Sequence, residues 1–425
     1  MKPTDLRGIL QYIPLFRNRP FVISLDGSVL DHKNFGNVLL DIAVLRSLNI
    51  KVILVHGAAA QISQLSKKSG VSATDLWGSG KTDEATLEMA IQAANLNTHR
   101  ILAGLTACGV HAAQSNAIRA NPAGLIKSLD LLNTGKIHRI ESVCLNSMLD
   151  QGITPVMPPL GFNAEGNTLR VNSDNVAIRV AEKLNAEKIV FMTASNGLYR
   201  RQEFIRELSV EELNELLDSE VELEPKGILS KARCAAEACR SGIPRVHIIN
   251  GCIDEALLTE IYSNEGIGTL IYSDEYQQIR KAELKDTNSI LRLIRNSVEN
   301  EELISRERLD IEKQIDCFHL IEIDGNPVGC VALIIYEEEQ IGEVACLYVD
   351  APHANQGIGQ KLLGFINRTS KERGLKRLMA LSTQAFSYFE NKGGFRQGEQ
   401  EELPKDKREQ YVRSGRNSRI MIKDL

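Results

Sequence analysis

The stretch Ile341-Gly-Glu-Val-Ala-Cys-Leu-Tyr-Val349, followed shortly by Asn355-Gln-Gly-Ile-Gly-Gln-Lys361 and then Leu362-Leu-Gly-Phe-Ile366, decides how this chain is read. The first run is apolar and reads as a strand. The last places apolar residues on one helical face. Between them stand two glycines two apart, Gly357 and Gly359. Glycines at this spacing let successive backbone N–H groups turn toward a common point, and the helix that follows adds its positive end. A pyrophosphate fits such a turn without any side-chain cation. Tight loops also use glycine for geometry alone, so the surroundings of the turn carry the argument.

The chain has 425 residues, more than one hydrophobic core usually holds, so two or three domains are expected. Apolar residues make up 43% and charged residues 25%, with a net charge of -5. That is a folded chain without the basic excess that nucleic acid demands, which points to small-molecule chemistry. Eight cysteines are scattered with no Cys-x-x-Cys pair, and eight histidines form no ligand spacing. A reduced protein without a metal is therefore expected. The start, Met1-Lys-Pro-Thr-Asp-Leu-Arg7, lacks a signal-peptide core, and no stretch approaches the ~20 apolar residues of a membrane span. No membrane and a cytoplasmic location are the expectation.

Upstream, short apolar runs alternate with amphipathic stretches. Phe21–Leu25 precedes a helix near Val38–Leu48 and then Lys51–His56, which is βαβ spacing. It recurs at Thr154–Met157, Lys188–Thr193 and Pro244–Ile249, the last after a helix at Lys231–Arg240. A mainly parallel sheet covered by helices follows, an α/β fold. Beyond Tyr272–Tyr276 the pattern changes to Ile279–Ala282, a helix around Thr287–Asn296, and strands Phe318–Ile323 and Val328–Ile335 joined through Asp324-Gly325-Asn326, a hairpin signal. The reading divides the chain into residues 1–18, a separate amino-terminal helix, residues 19–274, and residues 279–425. In the first of these, Leu6, Ile9, Leu10, Ile13 and Phe16 share one helical face. That face packs either on its own domain or on another subunit, and a homo-oligomer is expected.

The strand, Gly-x-Gly turn and helix resemble the acetyl-CoA loop of GNAT acetyltransferases. Over residues 279–425 the segments Ile341–Val349, 355–361, Leu381-Ser382-Thr383-Gln384, Tyr388-Phe389, Gly394-Phe395 and the tail Tyr411–Met421 fall in the order seen in the acetyltransferase half of the N-acetylglutamate synthases. The resemblance implies a GNAT-type α+β domain with acetyl-CoA as cosubstrate. Coenzyme A would lie against Cys346, Leu347, Tyr348 and Val349 and against Gln356, Gly357, Ile358, Gly359, Gln360 and Lys361. Glu343 would be the general base, directly or through a water, because the acceptor ammonium must lose a proton before it attacks a thioester. Ser382 occupies the position that protonates, or only hydrogen-bonds, the leaving thiolate. L-Glutamate would be held by Arg306, Cys346, Arg416 and Ser418, arginine offering the fork that a carboxylate matches. Glu343 also reads as part of an acidic surface with Glu337–Glu339. On a regular strand Glu343 and Cys346, three apart, face opposite sides, and a bulge would bring them together. Cys346 reads better as a buried small side chain than as a nucleophile, for want of an activating base. The chain departs from the pattern at Ala354, at Ser305, and at Phe389, where many GNAT enzymes have tyrosine and where Tyr388 is the neighbouring substitute.

In residues 20–271, Phe21-Val-Ile-Ser24-Leu-Asp-Gly27, Val55-His-Gly57-Ala-Ala-Ala-Gln61, Val171-Asn-Ser-Asp174-Asn-Val-Ala177 and Gly227-Ile-Leu-Ser-Lys231 resemble the amino-acid kinase family in order and spacing. The implied fold is an αβα sandwich with a mainly parallel sheet. Kinase chemistry is not expected. Ser24 stands where the kinases end a strand in Lys-x-Gly-Gly, and phosphoryl transfer depends on positive charge there. Asp174 and Lys231 are retained, but Asp174 also reads as a helix N-cap and Lys231 as solvated surface. In arginine-sensitive members of the family, arginine binds beside the segment matching Asn264–Thr269. The resemblance therefore implies an effector site using Tyr12, Glu265, Gly266 and Gly268.

Together these readings imply an amino-acid N-acetyltransferase acting on acetyl-CoA and L-glutamate in arginine biosynthesis, with arginine as effector. An acetylglutamate kinase carrying an accessory domain and a non-catalytic arginine sensor are the alternatives.

Overall fold

A computed structural model of the chain describes residues 16–126, 128–219, 223–262, 266–273, 277–299, 306–323, 326–350, 353, 357–414 and 418–425. The chain divides into two compact units, Met1–Asp274 and Glu275–Leu425.

The first unit is built on strands β1 (Pro20–Leu25), β2 (Lys51–His56), β3 (Ala112–Gln114), β4 (Thr154–Met157), β5 (Lys188–Thr193), β6 (Glu207–Ser209), β7 (Arg245–Asn250) and β8 (Thr269–Tyr272). They form one sheet in the order β6-β8-β7-β5-β1-β2-β4-β3. Pairing is parallel except between β7 and β8. Side chains alternate across β1 with period two. Val22 joins a cluster with Val55, Phe191 and Val246, whereas Phe21, Ile23 and Leu25 join another with Val52, Leu54 and Val190. The helix Phe35–Ser47 covers the second face through Ile42 and Leu45. The first face is covered by α2 (Ser173–Leu184) and α3 (Leu229–Arg240), through Val176, Val180, Ala232 and Ala235. Two buried faces explain why these strands are nearly continuous apolar runs. The result is an αβα sandwich. The glycine turn at Gly57 leads into α1 (Ala59–Ser69). A four-stranded sheet of Ile118–Pro122, Gly135–Ile140, Leu160–Phe162 and Thr168–Arg170 was not anticipated from the sequence.

The second unit is one twisted sheet of β9 (Gln277–Lys281), β10 (Phe318–Ile323), β11 (Asn326–Tyr336), β12 (Ile341–Val349), β13 (Arg377–Ser382), β14 (Arg396–Gln397) and β15 (Arg419–Asp424), ordered β9-β10-β11-β12-β13-β15-β14. One face carries α4 (Thr287–Glu299), whose Ile290, Leu293 and Ile294 meet Phe318, Leu320 and Cys330. The other carries α5 (Ile358–Glu372) and α6 (Phe386–Gly393), with Leu362, Leu363, Ile366 and Phe389 packed on Val331, Leu333 and Val344. A further helix, α7 (Lys405–Ser414), precedes the last strand.

Two irregularities in this sheet matter most. Ala332 pairs with Ala345 while Cys330 pairs with Tyr348, so two steps on β11 oppose three on β12. Cys346 and Leu347 form that bulge, and Cys346 sits at φ 50, a region few non-glycine residues occupy. The parallel pairing of β12 with β13 runs from Ile341 to Glu343, opposite Arg377 to Met379. Both strands continue, to Val349 and Ser382, but the register between them stops there. The sheet opens at the bulge.

Candidate acetyltransferase site

The bulge sets the face on which each β12 side chain falls. Val344 and Leu347, three apart, both lie with the α5 cluster, and Cys346 lies with the α4 cluster. A regular strand would separate each such pair. Glu343 and Cys346 are thereby brought to one side of the sheet, beside the opening. Positive φ at a non-glycine residue costs about 1–3 kcal/mol and concentrates at functional sites. Backbone N–H groups at such an opening are aimed away from the ladder, toward whatever lies between the strands.

Glu343 is only 4% exposed, so it is not part of an acidic surface with Glu337–Glu339. Lys407 Nζ on α7 approaches its Oε1 to 2.6 Å, and Tyr336 Oη donates to its Oε2 at 3.0 Å. Burial and the charge of Glu343 hold the Tyr336 phenol above its usual range, so it remains a donor. The Cys346 thiol is raised, burial being the main cause, with the hydrogen-bonded Arg306 and the charge of Lys407 opposing. A protonated buried thiol is no nucleophile. Arg306 reaches Gln314 Oε1 at 2.7 Å and stacks 5.9 Å from the Phe318 ring, while its buried Nε has no partner among the described residues. Arg306, Cys346, Glu343 and Lys407 thus converge. Lys407 and Tyr336 were not singled out from the sequence.

Ser382 ends β13 and is buried, and its Oγ accepts from Ala385 N at 2.9 Å, which starts the turn into α6. Its hydroxyl proton still has a direction to point. Tyr411 Oη donates to the Ser418 carbonyl at 2.7 Å, tying α7 to the tail. Arg416 lies outside the described residues.

The pyrophosphate turn is represented by Gly357 at φ 74, the N-cap of α5, followed by Ile358, Gly359, Gln360 and Lys361 in its first turn. Gln356 lies outside the described residues. A Cβ on Gly359 would overlap Tyr388 Oη, so the α6 phenol lies directly against the amide turn. Burial raises that phenol above its usual range. Phe389, in contrast, is buried 5.3 Å from the Phe395 ring and serves the core. The fit to an anion is therefore made of main-chain donors, a helix end and one phenol. Leu347, Tyr348 and Val349 line the strand that leads there.

In the first unit the kinase-like signature is occupied by its own side chains. Lys231, 4% exposed, lies 2.8 Å from Asp26 Oδ1 and 2.8 Å from Asp174 Oδ1, and Ser230 donates to Asp174 Oδ2 at 2.9 Å. Burial opposes its charge, but Asp174 and Asp26 outweigh this and hold the ammonium above its ordinary range. Lys231 is therefore not solvated surface. Nor does Asp174 cap α2: Asn172 does, its side chain accepting from Asn175 N. Asp26, Trp77 and Lys231 line two adjoining cavities of about 250 and about 220 Å³. One lysine between two carboxylates leaves no positive excess for a phosphoryl group.

In the loop before β8, Gly266 adopts φ 55, and the N–H groups of Ile267 and Gly268 donate to Glu260 Oε2 at 2.6 and 2.9 Å. Glu260 Oε1 takes His247 Nδ1 at 2.7 Å. Burial depresses His247 to about 4, so the ring is neutral and its Nδ1 carries the proton. Its Nε2 is then a buried acceptor, and no described group donates to it. Lys188 is buried nearby, 4.5 Å from the Phe16 ring. Tyr12 and Glu265 lie outside the described residues. Glu260 and His247 were not chosen from the sequence, where they read only as helix and strand positions.

The amino acid kinase family profile matches residues 19–250, and the acetyltransferase (GNAT) family profile matches residues 284–395. Fold and site therefore define a two-domain acetyltransferase with an amino-acid-kinase-like amino-terminal half. An amino-acid acetyltransferase of Yersinia enterocolitica is 32% identical over 99% of this chain and 97% of its own length. One from Photorhabdus laumondii is 33% identical over 98% and 95%. The solved N-acetylglutamate synthase from Neisseria gonorrhoeae, complexed with coenzyme A and L-arginine, is 32% identical with a TM-score of 0.86, covering 99% of each chain. The same enzyme with coenzyme A and N-acetyl-glutamate gives 0.65 at 33% identity over 99% of each. The chain belongs to the amino-acid acetyltransferase family, the N-acetylglutamate synthases.

Proposed function

We propose that the protein transfers the acetyl group of acetyl-CoA to the α-amino group of L-glutamate, releasing N-acetyl-L-glutamate and coenzyme A, as the entry step of arginine biosynthesis. The observation that carries this reading is the opened strand pair at Glu343 and the Cys346 bulge, leading directly to the Gly357 turn. Main-chain N–H groups of Cys346 and Leu347 receive the thioester oxygen, whose charge grows as the amine attacks. Glu343 takes the proton of the acceptor ammonium, and its burial keeps water from competing. Ser382 hydrogen-bonds the departing thiolate. Arg306, with Arg416 and Ser418 of the tail, orients the dicarboxylate.

The amino-terminal unit is regulatory in this reading. Arginine is its effector, bound at the Gly266–Gly268 turn, where His247 Nε2 offers an acceptor for a guanidinium N–H. The Asp26–Lys231–Asp174 arrangement speaks against a kinase. Thiol release from acetyl-CoA, measured across the amino acids with and without arginine, tests both parts. Release with glutamate that responds to arginine supports them. Release with no amino acid, or only with ATP and N-acetylglutamate present, rejects them.

A further inference from the structure

Both oxygens of Glu343 are engaged, one by an ammonium. The acceptor must bring a second ammonium to the same carboxylate. Two cations sharing one oxygen repel each other strongly in a site this dry. The repulsion disappears if the incoming molecule carries its own anion beside its ammonium. We propose that the Lys407–Glu343 ion pair is a template for the zwitterion of an α-amino acid, Lys407 receiving the acceptor's α-carboxylate while Glu343 receives its ammonium.

This rests on the acetyl-transfer reading and adds a specificity residue to it. On binding, one buried pair becomes two, with charges alternating, so no charge is left without a partner. Lys407 suits the exchange: its side chain is 15% exposed, and a lysine stem can swing where a guanidinium fork would be fixed. Tyr336 keeps hold of Oε2 while Oε1 changes partner. Arg306, hydrogen-bonded to the Cys346 thiol, is left for the second carboxylate. An amine without an α-carboxylate would have to displace Lys407 with nothing to offer it.

The test compares L-glutamate with 4-aminobutyrate, which keeps the amine and the distal carboxylate but lacks the α-carboxylate. Thiol release is measured with the full-length enzyme. Wild type is expected to favour glutamate by about 100-fold or more in kcat/KM, the order of a lost buried charge pair. Lys407→Met should lower kcat/KM for glutamate by ~50-fold, mainly through its KM, raise that for 4-aminobutyrate, which no longer has a lysine to displace, and leave the KM of acetyl-CoA nearly unchanged. The preference then collapses, and Lys407→Arg restores part of it. Lys407→Gln, which keeps the length and a donor without the charge, should behave as Met does and covers the case of a misfolded Met variant. A preference unchanged in both neutral variants, with both amines slowed alike or not at all, overturns the template and leaves acetyl transfer standing. Wild type that releases no thiol with glutamate overturns the acetyl-transfer reading and the template with it.

Discussion

The phenol of Tyr388 lies against the Cα of Gly359, so close that any side chain at that glycine would overlap it. A helix first turn that must accept phosphate oxygens is thereby walled on one side by α6. Gly359→Ala should push the turn or the phenol away and raise the KM for acetyl-CoA about tenfold, near 1.4 kcal/mol. The double variant with Tyr388→Phe should recover part of that loss, because the overlapping atom is gone. An unchanged KM in Gly359→Ala would mean that coenzyme A does not use this turn.

The Lys231 ammonium between Asp26 and Asp174 makes a second prediction. Lys231→Met strands two carboxylates, that of Asp174 buried, and should lower unfolding stability by about 3–5 kcal/mol. Asp26→Asn removes one partner of a lysine that keeps the other, so it should cost clearly less. Thermal or urea unfolding separates the two. Equal effects would mean that Asp26, not Asp174, anchors the lysine.

Buried His56 gives a pH signature. Burial lowers it from 6.5 to about 4, with Nε2 2.9 Å from Thr98 Oγ1. Between those values the unfolded chain binds a proton that the folded chain does not, so stability falls as pH drops from about 6.5 toward 4. The expected contribution is about 2 kcal/mol between pH 7 and pH 5. Asp41, raised to about 7 by burial and by the charges of Asp254 and Glu255, acts in the opposite direction. The comparison is therefore wild type against His56→Gln across that range. The variant should show the shallower acid loss, and parallel curves would remove His56 from the account.

The strands at 20–25, 51–56, 154–157 and 188–193 could be read from the sequence because both of their faces are buried and turn residues bound them. The small sheet around Ile118–Pro122 could not: its strands are short and mixed in polarity, so no period emerges. In the site, Glu343 and Cys346 were visible as residue types, but their sharing a face depends on a bulge set by pairing with β11. Lys407 gives no local signal at all, since a lysine on a highly charged helix reads as solvated until Glu343 is placed beneath it. The same holds for Asp26, whose meaning rests on a lysine far along the chain. Conversely, the N-cap reading of Asp174 followed a sound local rule and missed by two positions, because Asn172 takes the cap.

Turnover of Glu343→Gln against wild type, with acetyl-CoA affinity measured on the same samples, tests the central claim most directly. A carboxylate that removes the acceptor's proton is worth about 10²–10⁴-fold, so turnover with glutamate should fall by that order while acetyl-CoA binding stays within about threefold. Turnover that survives the substitution would contradict the account and remove Glu343 from the reaction.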